Sequence, residues 1–265
     1  MDAVTNQELL DIAVSGARKA GELLLESFRA TATGVGTKST PTDLVSDADR
    51  DAESLLVEHI ASLRPDDGIL GEEGADRSST TGLEWVVDPL DGTVNFLYRI
   101  PMWGVSIALE DAGGAVIAVV HDPNRDETFT AIRNQGAMLN GRPISTSDEA
   151  DLARALIATG FSYDPDVRNH QARVVTRVLE RARDIRRFGA AALDLTSVAC
   201  GRVDGFYEAY LERWDRAAGV LIAVEAGCLV TDLRPPKGTG VGVVAANPAL
   251  HPQLNELVGA QSIEG

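Results

Sequence analysis

Cysteine is nearly absent from this chain: Cys200 and Cys228 are the only two in 265 residues. Two such distant thiols exclude a disulfide-stapled scaffold and a cysteine zinc motif, and both are expected as reduced core residues of an intracellular protein. Histidine is also scarce. His59, His121, His170 and His251 are scattered, no His-Glu-x-x-His pattern occurs, and each is expected to be structural or on the surface. No window approaches about 18 uncharged apolar residues, so no membrane-spanning helix is expected. The first residues carry no basic stretch followed by an apolar run, so the expected location is cytoplasmic rather than secreted. Basic residues are outnumbered, 24 Lys and Arg against 40 Asp and Glu, leaving a formal charge of −16. That excess opposes broad attraction to nucleic acid or anionic lipid, and leaves small molecules and cations as the expected partners.

Apolar residues make up 44% of the chain and charged residues 24%, the composition of a globular protein of one or two domains. Thr5 and Glu8 form a capping box ahead of Leu9, Ile12, Ala13, Ala20, Leu23, Leu24 and Phe28, which recur at helical spacing. Ser46 caps a second helix through Leu55, Leu56, Ile60 and Leu63, stopped by Pro65. Two helices are therefore expected before any sheet. Short apolar runs at 85–87, 105–109, 115–120 and 128–132, bounded by turn residues, then predict a mostly antiparallel meander. Past Asp148 the elements alternate: 156–159, 185–188 and 205–208 extended; 167–183, 193–200 and 216–226 helical. A boundary is expected near residue 147, giving an N-terminal unit, 1–147, and a C-terminal unit, 148–265. No internal repeat or low-complexity tract appears.

Residues 43–91 hold 14 Asp and Glu and only 3 Arg, so this short segment carries most of the net negative charge. Asp51, Glu53, Glu58, Asp66 and Asp67 are expected on solvated helix faces. The others stand differently. Glu72 and Glu73 follow Ile69-Leu70-Gly71, and Asp88 follows Trp85-Val86-Val87, at the ends of expected buried strands. Carboxylates leaving a core call for pairing or a metal. In Asp88-Pro89-Leu90-Asp91-Gly92-Thr93, Pro89 forces a turn that lets both aspartates point to one place. Gly92 and Thr93 then begin a helical turn whose unpaired N–H groups suit an anion such as phosphate. Oxygen-only ligands with no His or Cys nearby suit Mg2+ or Mn2+. Metal-assisted phosphoryl transfer to water is the chemistry this combination indicates. By composition alone, Asp215 in Trp214-Asp215-Arg216-Ala217-Ala218-Gly219 is the N-cap of an apolar helix.

Four blocks together resemble the inositol monophosphatase family of Mg2+-dependent, lithium-sensitive phosphatases. They are Lys38-Ser39-Thr40-Pro41-Thr42-Asp43-Leu44-Val45-Ser46-Asp47-Ala48-Asp49, Gly71-Glu72-Glu73, the segment from Trp85 to Phe96, and Trp214 to Gly219. Their order and spacing fit nearly the whole chain. The resemblance implies an α+β fold, the layered αβαβα sandwich of the sugar phosphatase type. It has a mostly antiparallel N-terminal sheet and a smaller mixed second sheet, with helices between and outside.

The resemblance also implies a metal site of Glu72, Asp88, the Leu90 carbonyl, Asp91 and Asp215, holding two to three Mg2+ ions, with Mn2+ as an alternative. This replaces the N-cap reading of Asp215. Thr93 and Asp49 are then expected to orient the attacking water with Glu72, and the N–H groups of Gly92 and Thr93 to hold phosphate. Asp91, Ala190, Ala191 and Glu208 are expected to meet the substrate, Glu208 through polyol hydroxyls. Ala190 departs from relatives that offer a hydroxyl there. The implied substrate is a small phosphate monoester, first myo-inositol 1-phosphate. The alternatives are histidinol phosphate, fructose 1,6-bisphosphate or a 3′-phosphoadenosine nucleotide.

Members of the family usually form homodimers, and some bacterial members join transcription antitermination complexes. A regulatory protein-binding role is therefore the non-enzymatic alternative. Arg168, Arg173, Arg177, Arg181, Arg183, Arg186 and Arg187 are expected on a solvated face or a subunit contact. Tyr98 and Trp103 are expected in the core or a dimer interface, and residues 238–242 in a turn before a strand.

Overall fold

The computed structural model describes residues 4–30, 34–37, 44–234 and 241–259. Residues 38–43 of the first family-like block and 238–240 of the expected turn lie outside the described residues. Helix α1 (Asn6–Arg29) starts at the expected capping box, where Thr5 N–H donates to Glu8 Oε2 at 2.8 Å and Glu8 N–H to Thr5 Oγ1 at 3.2 Å. A two-stranded ribbon, β1 (Gly36–Thr37) with β2 (Leu44–Val45), precedes α2 (Asp47–Leu63). The expectation that only helices precede the sheet is corrected by this ribbon, which is too short to leave a period-two signal.

Strands β3 (Gly68–Gly71), β4 (Asp76–Arg77), β5 (Glu84–Asp91), β6 (Gly104–Asp111), β7 (Gly114–Asp122), β8 (Glu127–Ile132), β9 (Ala137–Leu139) and β10 (Arg142–Pro143) form one sheet. Its spatial order is β10-β9-β8-β7-β6-β5-β3-β4, antiparallel except for β3 beside β5. A short helix, α3 (Thr93–Leu97), leaves the end of β5.

The remaining elements are β11 (Leu156–Thr159), α4 (Pro165–Leu179), β12 (Asp184–Arg186), α5 (Ala191–Ala199), β13 (Gly205–Glu208), α6 (Arg213–Glu225), β14 (Leu229–Leu233), β15 (Gly242–Ala246) and α7 (His251–Gly259). Their five strands run β12-β11-β13-β15-β14, parallel at β12-β11-β13 and antiparallel at the other edge. Several boundaries shift from expectation: α4 and α5 each begin two residues early, and β12 ends at Arg186 rather than 188. Helix α4 stops at Leu179 rather than 183, and α6 begins at Arg213, three residues before the expected start.

Alternation along the strands sorts the large sheet between two cores. Trp85, Val87, Val105, Ile107, Leu109, Ile117 and Val119 pack with Leu9, Leu10, Ala13, Leu24, Leu56 and Ile60 of α1 and α2. The opposite face, through Val86, Ala108, Ala118 and Val120, packs on Leu195, Val198, Ala218 and Ile222 of α5 and α6. The same core takes Ala158, Phe206, Val243 and Ala245 from the small sheet, whose other face meets α4 and α7 through Ile157, Tyr207, Val174 and Leu254. The layers therefore run helix, sheet, helix, sheet, helix, as the αβαβα expectation requires. Cys228 is buried, Cys200 half-buried, and both are free thiols. Trp103 is fully buried, whereas Tyr98 is 71% exposed. Among the described residues, no helix is long and apolar enough to cross a membrane.

The α5–α6 contact explains the glycine that ends the last family-like block. A Cβ on Gly219 would lie 2.7 Å from Leu195 Cδ1 and 2.8 Å from Leu195 Cβ. The second of these atoms cannot swing away. Gly219→Val is expected to destabilise the protein by about 2–3 kcal/mol through overpacking. A lowered urea midpoint at unchanged m-value would show it; an unchanged midpoint would contradict the packing argument.

Candidate active site

A cavity of about 590 Å³ opens where β5, the start of α3, the N-terminus of α5, the end of β13 and the start of α6 meet. Glu72, Asp88, Leu90, Asp91, Gly92 and Thr93 line it from the first half of the chain. Phe161, Tyr163, Arg187, Ala190, Ala191, Glu208, Trp214 and Asp215 line it from the second. No histidine or cysteine is among its lining residues.

Strand β5 delivers the two central aspartates. Its register with β6 shifts between Asp88 and Asp91, so the extended backbone bulges around Pro89 and alternation no longer separates the two side chains. Leu90 N–H donates to Asp88 Oδ1 at 2.9 Å, fixing the turn. Gly92 follows at φ +94°, in the left-handed region. A Cβ there would also meet the Met102 carbonyl oxygen at 3.0 Å and Ala190 Cβ at 3.2 Å. Beside the bulge, Glu72 N–H donates to the Val87 carbonyl at 3.3 Å, which places Glu72 one strand away from Asp88.

Asp49 is fully buried at the start of α2. Its Oδ2 accepts from Ser46 N–H at 2.9 Å and Ser46 Oγ at 2.5 Å. The Thr93 hydroxyl lies 3.0 Å from Asp49 Oδ1 and 3.1 Å from the Leu90 carbonyl oxygen, so it donates to one of two acceptors. Asp91 reaches across to the second half: Ala191 N–H donates to its Oδ1 at 3.1 Å and Ala192 N–H to its Oδ2 at 2.8 Å. The Ala191 N–H is thereby committed, and what that residue offers the cavity is its methyl group. Asn95 Nδ2 strengthens the same seam with donations to the Met102 and Phe188 carbonyls, each at 2.7 Å.

Asp215 enters from α6. The helix N-cap is Glu212, and Asp215 occupies its first turn, accepting from Glu212 N–H at 2.7 Å. The compositional reading of Asp215 as the N-cap is corrected by this geometry, which turns the carboxylate back toward the cavity. Ser106 Oγ donates to the Trp214 carbonyl at 3.3 Å and anchors the turn to β6.

The electrostatics are those of crowded acids. Burial pushes Asp88 well above the usual carboxylate range, and the charges of Glu72, Asp91 and Asp215 push it further. Asp215 is also raised well above its ordinary value, by burial first and then by Glu72 and Asp91. Burial raises Asp91 to about 7, against the lowering effect of the N–H groups it accepts. Glu208 is raised by burial to about 8, with Arg187 pulling it down.

Oxygen donors under this strain, with no soft ligand among them, suit a hard divalent cation that would neutralise them. Among the described residues, no three carboxylates, imidazoles or thiols already stand in an arrangement that encloses an ion.

Two acids assigned to solvated faces are in fact buried. Glu53 accepts from Glu73 N–H at 2.7 Å and Ala75 N–H at 2.9 Å, holding the loop that carries Glu72. Asp67 pairs with Arg64 at 2.7 Å and accepts from Trp85 Nε1 at 3.0 Å. Glu53 was legible in part, since it lies four residues after Asp49 on the stripe with Ala48, Ala52, Leu56 and Ile60. The sequence reading also missed Asp194, fully buried in α5 with neither carboxyl oxygen hydrogen-bonded. Burial, then the charges of Glu208 and Asp91, raise it well above its ordinary value.

Comparison with known proteins places this geometry among relatives. The sequence profile of the inositol monophosphatase family matches residues 5–262. The chain is 40% identical over 245 residues to Nus factor SuhB of Escherichia coli strain K12, covering 91% of each. It is 44% identical over 231 residues to inositol-1-monophosphatase of Mycobacterium bovis, covering 83% of this chain and 79% of that one. The crystal structure of extragenic suppressor protein suhB from Bartonella henselae superposes with a TM-score of 0.88 at 37% identity, covering 96% of this chain and 99% of that one.

The raised acids set a pH dependence. A carboxyl whose folded pKa exceeds its unfolded value binds more protons folded than unfolded, so stability falls as pH rises between the two. For Asp91 the window runs from 3.8 to about 7. With chelator present, urea unfolding should show stability dropping across this window, more shallowly in Asp91→Asn. Stability rising with pH there would contradict the assignment.

Proposed function

The chain belongs to the inositol monophosphatase family, and from that premise we propose that it hydrolyses a small polyol phosphate monoester, first myo-inositol 1-phosphate, as a Mg2+-dependent, lithium-sensitive, cytoplasmic homodimer. One observation carries this reading. Glu72, Asp88, Leu90, Asp91 and Asp215 surround the same cavity as Gly92, Thr93 and Glu208. Metal donors, a phosphate seat and a polyol acceptor thus share one wall.

Glu72, Asp88, the Leu90 carbonyl, Asp91 and Asp215 would hold two to three Mg2+ ions, or Mn2+. When bound, such ions supply positive charge that acidifies a water and offsets charge on the leaving oxygen. The chain's own residues do the positioning. Asp49, fixed by two bonds from Ser46, accepts a hydrogen bond from the Thr93 hydroxyl at 3.0 Å. The Thr93 oxygen is then left to accept a hydrogen from water and aim its lone pair at phosphorus. Glu72 accepts the other hydrogen, and the N–H groups of Gly92 and Thr93 receive phosphate oxygens. Glu208 meets adjacent hydroxyls on the ring, so a ligand lacking them leaves a buried polar group unpaired. Ala190 contributes no hydroxyl, which weakens the preference for inositol over histidinol phosphate, fructose 1,6-bisphosphate or a 3′-phosphoadenosine nucleotide.

A second reading, a regulatory protein-binding role, is favoured by the name Nus factor borne by the Escherichia coli relative. It makes a separate demand: Asp91→Asn would remove phosphatase activity and leave the cellular phenotype intact.

Phosphate release from a panel of these substrates tests the enzyme. Turnover of inositol phosphate should require Mg2+, vanish with chelator, and fall with lithium. Asp91→Asn should lower kcat at least ~100-fold, about 2.7 kcal/mol of barrier. Chelator-insensitive hydrolysis would overturn the metal role, and preference for a nucleotide would overturn the substrate.

A further inference from the structure

Glu208 occupies space that a neighbouring strand leaves open. In the parallel pairing of β11 and β13, Thr159 stands beside Tyr207, so Gly160 falls beside Glu208 one residue further on. Side chains at such paired positions project from the same face of a sheet. A Cβ built on Gly160 would lie 1.9 Å from Glu208 Oε2, 2.1 Å from Oε1 and 2.1 Å from Cδ. The carboxyl group therefore lies folded over Gly160. On the other flank Glu208 pairs with Val243, and a Cβ on Gly242 would meet the Glu208 carbonyl oxygen at 2.0 Å. The backbone of Glu208 is thus held against Gly242, while its carboxyl group depends on Gly160.

From this contact we propose that Gly160 is a specificity-determining positioning residue: it sets the depth at which Glu208 presents its carboxyl group to the hydroxyls of a polyol phosphate. The inference rests on the polyol reading of Glu208 given above. Gly160 is not in the left-handed region, so alanine can adopt its backbone conformation. The three atoms nearest to such a Cβ all belong to the movable end of one side chain. A methyl group at 160 therefore meets the Glu208 carboxyl first and displaces it.

The test is a double-mutant cycle in the Mg2+-loaded protein, comparing myo-inositol 1-phosphate with phenyl phosphate, which has no vicinal hydroxyls. Gly160→Ala should raise KM for the inositol ester roughly tenfold, and at least about fivefold more than for phenyl phosphate, with the larger change in KM rather than kcat. Glu208→Asp withdraws the carboxyl by one methylene, so adding Gly160→Ala to that variant should change the ratio of the two KM values less than about twofold. Equal effects on both substrates, or the same effect in both backgrounds, would overturn the proposal.

A second readout needs no substrate. With 13C-labelled glutamate and the resonance assigned by Glu208→Gln, Gly160→Ala should shift the Glu208 carboxyl signal; an unmoved signal overturns the proposal even if activity changes. If the signal moves but the wild-type protein hydrolyses no polyol phosphate, the functional reading falls while the control of Glu208 by position 160 stands. If Gly160→Ala fails to fold, Gly160→Ala with Glu208→Ala must fold, and its failure would count against the contact.

Discussion

The carboxylate of Asp91 at the N-terminus of α5 is the contact on which the rest of the molecule depends. It accepts from two successive backbone N–H groups, at 3.1 and 2.8 Å, across a gap of 100 residues in sequence. Those N–H groups have no partner within the helix, and the helix dipole favours a negative charge beside them. Charge-assisted bonds of this kind contribute about 1.5–3 kcal/mol each, while burying an unpartnered carboxylate costs several. The interaction thus makes a buried acid tolerable and, by the same bonds, sets where α5 begins relative to β5. Asn95 repeats the link with uncharged bonds to Met102 and Phe188.

From that anchor the other placements follow in short steps. α5 packs on α6 over Gly219, which fixes the first turn of α6 and so the direction of Asp215. The bulge in β5 brings Asp88 and Leu90 to the same side as Asp91. Glu53, from behind, holds the loop after β3 and with it Glu72. Asp88, Asp91 and Asp215 each accept at least one backbone N–H, and all three line the cavity. The lower pKa that hydrogen bonding confers on Asp91 is outweighed by burial, so local geometry is satisfied while net charge is not. Assembling these acids in one buried place costs stability in this way.

Much of this was legible in the sequence wherever a signal was local. The capping box at Thr5, the stop at Pro65 and the turn around Pro89 each depend on neighbours within a few residues, and the structure places each as expected. Features that depend on a distant partner were not legible. Composition sends Glu53 and Asp67 to solvent because a charged residue on a helix or turn is normally solvated; the loop of Glu73 reverses that for Glu53, and Trp85 and Thr81 join the nearby Arg64 in reversing it for Asp67. Asp215 has the sequence context of an N-cap, yet Glu212 starts the helix three residues earlier, where packing on β6 through Trp214 fixes the turn. The five resemblance-based metal donors meet around one cavity, but no pattern in the chain announces Asn95 or Asp194.

The acidic excess and the glycines turn out to be parts of one device. Glu208 lies over Gly160 at 1.9 Å from where a Cβ would stand, and Glu53 lies over Gly71 at 2.4 Å. In both pairs a carboxyl group occupies the volume of a missing side chain over a buried glycine. For Glu53 the neighbouring N–H groups of Glu73 and Ala75 then supply its hydrogen bonds, so the acid is buried and satisfied at once. For Glu208 no comparable donors converge among the described residues, and burial raises it to about 8 against the pull of Arg187. The same packing solution therefore yields two different results: a fixed structural carboxylate behind the cavity wall, and on its surface a carboxyl group held in place but left short of partners. The hydroxyl contact proposed for Glu208 draws on the second condition, because a group already satisfied gains little from a ligand.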